Sequence, residues 1–177
     1  EYQAAYRSRN NGVCVCQNIT DEAGNTLFPW KLHTMKNGLR VGIVGIVTDY
    51  VNIWEKEENL KGIHITDPFE AAKNALAQMK EQTDLTICIY HGGFECDLES
   101  GETLSQTTEN VGYRICKELD FDILLTGHQH MSVPGRDLFG TYTVQPCDNA
   151  KEYQYLEVTM AGNEKIIRSE LRQSDAA

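Results

Sequence analysis

Residues 85–93 read LTICIYHGG and residues 122–130 read DILLTGHQH. Each is a short apolar run that closes on glycine and histidine. A run of this length, bounded by turn-forming residues, predicts a strand buried in a sheet. Upstream, Leu39 to Val47 (LRVGIVGIV) is almost wholly apolar and predicts another strand buried on both faces. It pairs with Phe28 to Lys36 in a hairpin closed by Asn37-Gly38, a dipeptide suited to positive φ. Between these runs the period changes. A helix is predicted from Asp67, with Pro68 at its first position, Glu70 placed for a capping box, and Phe69, Ala72, Leu76 and Met79 forming one apolar stripe. A second helix is expected over 107–119, returning to a strand at Asp122 to Thr126. Strand, helix, strand, helix, strand is the pattern of a largely parallel α/β sheet.

The flanks have another texture. Val13 to Ile19 reads as a short strand, and residues 1–9 as the end of a helix. From Thr141 onward come β-rich runs at Thr141 to Gln145, Tyr153 to Met160 and Lys165 to Arg172, with Gly162-Asn163 turning between the last two. They suggest an antiparallel finish. Mixed sheets packed together, with helices outside, accommodate both halves. No repeat, low-complexity block or linker divides residues 1–177, so they read as one unit.

The chain has 177 residues, 41% of them hydrophobic, which suits one domain or part of one. Its 16 basic and 26 acidic side chains give a formal charge of -10. That balance argues against a nucleic-acid polymer or an anionic membrane surface as partner, and an anionic substrate would need local metals or oriented backbone groups. No apolar run approaches the roughly 18 residues of a membrane span. The sequence starts at Glu1 rather than Met, so the true N-terminus is expected upstream and targeting is not legible. Six cysteines without a CxxC pair, two of them (Cys88 and Cys116) inside apolar patterns, lean towards a reducing, cytoplasmic compartment, with secretion or the cell surface left open.

Chemistry gathers where the apolar strands end. His91 closes one, and His128 and His130 lie just beyond another. In α/β sheets the carboxyl ends of strands are where ligands bind. Residues two apart in extended chain project to one side, Gly127 allows a tight turn, and imidazole is a ligand for Zn, Mn, Fe and similar ions. Each histidine is equally open to a hydrogen-bonded or solvated role, and position and spacing leave both readings standing. His33 and His64 lack this setting and read as a hairpin-face residue and part of the approach to the first helix.

The run D84-L-T-I-C-I-Y-H91-G-G, then Glu109-Asn110, then D120-F-D-I-L-L-T-G-H128-Q-H130, is similar to the later motifs of the calcineurin-like metallophosphoesterases. VCVCQNITDEAGNTLFPWKLHTMKNGLRVGIVGIVT resembles their 5′-nucleotidase and 2′,3′-cyclic-nucleotide phosphodiesterase branch. VQPCDNAKEYQYLEVTM resembles the closing strands of that catalytic domain, with Cys147 where many relatives have glycine. The resemblance spans nearly all of residues 10–172. It implies the C-terminal portion of a four-layer αββα sandwich and a dinuclear metal centre, with His91 and His128 on one metal and His130 on the other. Two divalent ions (Mn, Zn, Fe or similar) about 3.5–4 Å apart activate a water and hold phosphate oxygens while hydroxide attacks in line. The substrate implied is a nucleotide or other phosphate ester.

The family's earlier motifs, Asp-x-His, Gly-Asp and Gly-Asn-His-Glu or -Asp, do not occur in these 177 residues. They supply the other ligands and the histidine thought to protonate the leaving oxygen, so no catalytic residue is assigned here and the metals would be incompletely ligated. The N-terminal half of the same domain and a C-terminal nucleotide-recognition domain are expected elsewhere. Two other readings stand beside this one: a non-catalytic α/β module with a structural metal, and one half of a split phosphoesterase. The acidic loop Phe94 to Glu102 lacks the ligand pattern of a calcium loop and reads as solvated. Trp30, Tyr50, Trp54 and Phe94 read as core or edge aromatics rather than a base-binding set.

Overall fold

The computed structural model describes residues 12–162 and 164–174. The helical end expected over residues 1–9 lies outside them, as does Asn163. The chain runs β1 (Cys16–Thr20), β2 (Thr26–Phe28), β3 (Lys31–Thr34), β4 (Arg40–Val47), α1 (Val51–Trp54), a 3-10 turn (Glu57–Asn59), β5 (His64–Ile65), α2 (Pro68–Met79) and β6 (Leu85–His91). It continues through α3 (Gly112–Glu118), β7 (Ile123–Leu125), β8 (Val133–Leu138), β9 (Thr141–Gln145), β10 (Glu152–Ala161) and β11 (Glu164–Gln173).

The apolar runs make the centre of a six-stranded sheet in the order β3-β4-β6-β7-β9-β8. β4, β6, β7 and β9 are parallel, and the outer strands β3 and β8 are antiparallel to their neighbours. Side chains alternate between faces, as strand geometry requires. Val44, Ile46, Cys88, Tyr90 and Leu124 enter the main core with Phe69, Ala72, Leu76 and Met79 of α2 and Ile115 and Cys116 of α3. Val41, Leu85 and Ile123 belong to a second cluster, with Ile43, Ile87 and Leu125 beside them and Leu156, Val158 and Ile167 of the β10-β11 hairpin packed on top. Helices, sheet and hairpin thus stack as three layers, in accord with the expected portion of an α/β sandwich.

α2 forms where its sequence signals lie. Asp67 caps it by accepting a hydrogen bond from the Glu70 amide at 2.9 Å, with Pro68 in the first turn. The predicted stripe is buried, and fully burying side chains such as Leu76 and Met79 contributes on the order of 1.5–3 kcal/mol each. The hairpin is fastened by charge as well as by packing. Lys165 Nζ donates to both carboxylate oxygens of Asp122, at 2.6 and 2.7 Å, and Asp122 accepts from the amide and hydroxyl of Thr86 at 2.8 and 3.0 Å.

A second, three-stranded sheet of order β2-β1-β5 abuts the open part of the β4 edge. β3 pairs only with Arg40 to Ile43, so the remaining backbone groups of that edge need other partners. Buried Asn18 supplies one: its amide donates to Val47 O at 2.7 Å and Thr66 O at 2.9 Å, and its Oδ1 accepts from Val47 N at 3.0 Å.

Two expectations change. The helix expected over 107–119 is the shorter α3, because the preceding residues are engaged elsewhere: Glu109 O accepts from Tyr90 Oη and Asn110 Oδ1 from Gly93 N. The helix instead begins at Gly112, where the Glu95 carboxylate caps it from another loop by accepting from Tyr113 N and Arg114 N. Thr141 to Gln145 is parallel to β7 rather than part of a purely antiparallel finish, since β8, which the sequence did not signal, takes the edge beside it. The β10-β11 hairpin is antiparallel as expected, with Gly162 at φ 65° in its turn.

Candidate metal centre

The parallel strands end side by side, which brings the two histidine-bearing loops together. His91 is the last residue of β6, and its carbonyl accepts from Thr48 N at 3.0 Å. The two glycines after it are required by space. A Cβ on Gly92 would lie 2.0 Å from the Tyr90 ring, and one on Gly93 2.1 Å from Gln129 Oε1. The 127–130 loop therefore sits directly on the 92–94 turn. Gly127 N donates to Gly92 O, while Gln129 accepts from Phe94 N at 2.8 Å and donates to Phe94 O at 2.9 Å.

That grip holds His128 and His130 in left-handed backbone, at φ 72° and 56°. Such conformations cost about 1–3 kcal/mol each and persist where the surroundings over-determine them. The imidazole of His128 is oriented on three sides. Its ring lies 5.4 Å from that of His91 and stacks against Trp54 at 5.2 Å and 27°. Its Nε2 is 2.8 Å from Glu109 Oε1. Burial, followed by the neighbouring His128, holds the His91 imidazole below its usual pKa, which favours the neutral form that binds metals.

The structure thus brings His91 and His128 together. His130 lies beyond the Gln129 anchor, exposed, and makes no ring contact with either among the described residues. Among the described residues no group of three or more His, Cys, Asp or Glu side chains stands ready to hold a metal. Two adjoining imidazoles at strand ends, with a carboxylate beside one, are a donor set suited to part of a transition-metal site. Trp54 and the contact of Glu109 with His128 were not foreseen: Trp54 stands on a four-residue helix without a periodic signal, and Glu109 makes its contact only through the fold.

The other residues singled out in the sequence lie apart from this pair of histidines or are engaged elsewhere in the fold. His33 and His64 are exposed on strands outside this loop cluster. Asp97 Oδ1 accepts from Glu99 N, Ser100 N and Ser100 Oγ, so the acidic loop spends that carboxylate on its own turn. Trp30 donates from Nε1 to Gln78, and Phe94 is buried in the main core. All six cysteines are free, and burial pushes the Cys116 thiol up to about 12 and Cys88 further still.

No protein-family model matches the chain. A 2′,3′-cyclic-nucleotide 2′-phosphodiesterase/3′-nucleotidase from Salmonella typhimurium is 30% identical over 101 residues, covering 56% of this chain and 15% of that protein. A provisionally named 5′-nucleotidase from Staphylococcus aureus, solved with alpha-ketoglutarate, superimposes with a TM-score of 0.87 at 29% identity over 97% of this chain and 34% of its own. The relatives of this chain are thus named as nucleotidases, cyclic-nucleotide phosphodiesterases and metallophosphoesterases. The calcineurin-like phosphoesterase YfkN from Bacillus subtilis shares the fold, with a TM-score of 0.71 at 20% identity over 90% of this chain and 55% of its own. The described layers are accordingly a portion of the metallophosphoesterase sandwich, and the chain spans only 15% of the Salmonella phosphodiesterase and 34% of the Staphylococcus 5′-nucleotidase.

Proposed function

We propose that this chain forms one side of a dinuclear metal centre that hydrolyses phosphate esters of nucleotides, either 5′-nucleotides or 2′,3′-cyclic nucleotides, with His91, His128 and His130 as ligands. The observation that carries the reading is the meeting of His91 and His128 at the ends of two parallel strands, in a chain whose relatives are named as nucleotide phosphoesterases. Divalent ions such as Mn, Zn or Fe supply an activated water and positive charge for the phosphate oxygens. The chain's own residues present and hold the donors. Gly92 and Gly93 permit the close approach of the two loops, Gln129 locks them, and Trp54 and Glu109 aim the His128 ring. With a formal charge of -10, the protein needs strong local positive charge to receive a phosphate.

In this reading the remaining ligands, and the group that protonates the leaving oxygen, lie in sequence outside these 177 residues. The stretch alone therefore has negligible phosphatase activity. The test is metal-dependent release of phosphate from nucleotides by the full-length protein. His128→Ala should lower turnover at least on the order of 100-fold while far-UV circular dichroism stays unchanged. Wild-type turnover by that variant, or turnover by the 177 residues alone, would contradict the assignment.

A further inference from the structure

We propose that Glu109 is a positioning residue for His128: its carboxylate accepts a hydrogen bond from Nε2-H and thereby holds the imidazole in the tautomer whose Nδ1 is the free donor nitrogen. The inference rests on the reading of His128 as a metal ligand and adds which of its nitrogens takes the metal.

The contact is 2.8 Å, a full hydrogen bond, between groups that are both mostly shielded from solvent. Glu109 is held from two directions before its side chain is considered. Its carbonyl accepts from the hydroxyl of Tyr90, itself 1% exposed, at 3.0 Å. The next side chain, buried Asn110, accepts from Gly93 N at 2.7 Å. The Glu109-Asn110 pair is thus pinned to the turn that follows His91 while its carboxylate reaches the loop that carries His128. This is also why the chain forgoes helical structure at these residues.

Chemistry narrows the role. Among the described residues the Glu109 side chain pairs with no Lys or Arg; its partner is the imidazole. A neutral imidazole that donates one ring N-H to a carboxylate is held in the tautomer whose other nitrogen carries the lone pair, becomes a better metal ligand through that nitrogen, and is fixed in rotation. The stacking of Trp54 and the edge contact with His91 leave the ring little other freedom. Nε2 is committed to Glu109, so Nδ1 remains to bind a metal.

The test uses the full-length protein and reads metal binding and imidazole protonation rather than activity. In the metal-free protein, at a pH high enough for the ring to be neutral, nitrogen NMR of selectively labelled histidine should show His128 protonated at Nε2 and bare at Nδ1. Glu109→Ala should give a mixture of tautomers and weaken Mn²⁺ binding about 10–100-fold, and Glu109→Gln, whose amide oxygen still accepts, should restore both within a few fold. His128→Ala is the control that separates the two claims. Unchanged Mn²⁺ affinity in that variant would sink the ligand reading itself. Lost affinity in His128→Ala with an unaffected Glu109→Ala would sink only the role of Glu109. Equal losses in Glu109→Ala and Glu109→Gln, with the His128 tautomer unchanged in both, would make Glu109 a direct ligand and overturn the positioning role.

Discussion

At His128 and His130 the backbone is held where side chains other than glycine rarely sit, and a single glutamine between them carries much of the restraint. Gln129 can do so only because position 93 has no side chain. Gly93→Ala should therefore push Gln129 off the Phe94 backbone and destabilise the protein by about 1–3 kcal/mol, as overpacking of a tight contact does. A thermal melt of the variant indistinguishable from wild type would show that the loop has another anchor. At this scale the histidines were legible, because an apolar strand that stops on His91 or leads into His128 is a pattern within one segment. The contacts of Glu109 and Trp54 with His128 were not, since each is made across a large gap in sequence and no local periodicity encodes such a meeting.

Among the elements, the start of the β4-β6 pair is held by a charged clasp. Arg40 donates to both carboxylate oxygens of Asp84, at 2.6 and 3.2 Å from its side chain and 2.9 Å from its amide, and Asp84 N donates back to Arg40 O. These hydrogen bonds from Arg40 hold the Asp84 carboxyl down at about 2, below its ordinary 3.8. A depressed carboxylate pKa gives stability that is fully present above the ordinary value and lost as the pH falls towards the folded one. Urea midpoints of wild type and Asp84→Asn should thus differ at neutral pH and converge between about pH 4 and 2; a gap that persists at pH 2 would assign the difference to something other than this charge. Helix α2 was legible to its cap because Asp67, Pro68 and the apolar stripe are all local signals. The extent of α3 was not, because Glu95, which caps it, lies far back in the chain and the expected first turn is drawn away by Tyr90 and Gly93.

For the whole molecule, the two faces of the sheet are unequally covered. The helix face is sealed, with Val44 and Cys88 at 0% exposure, whereas on the other face Ile89 is 42% exposed beyond the hairpin. By strand alternation Ile89 shares that face with His91. In the 177 residues alone Ile89→Lys should change stability by about 0.5 kcal/mol or less, as surface substitutions do. If the proposed remainder of the domain covers this face, the same substitution in the full-length protein should cost several times more, and equal urea midpoint shifts in both would argue against such a cover. The parallel sheet itself was legible because doubly buried strands read as unbroken apolar runs. β8 and β5 were not, since an edge strand carrying Pro134 and Gly135 and a two-residue strand leave little pattern to read.

The pairing of β4 with β6 runs without interruption from Val41 opposite Leu85 to Val47 opposite His91. Many exchanges of one apolar residue for another along β6 would leave His91 looking outward. Removing a single codon between Leu85 and Tyr90 would not, because every later side chain would trade sides and the imidazole would turn towards the helices. The strand thus tolerates misspelling but not miscounting, and its length matters to the site as much as the histidine at its end.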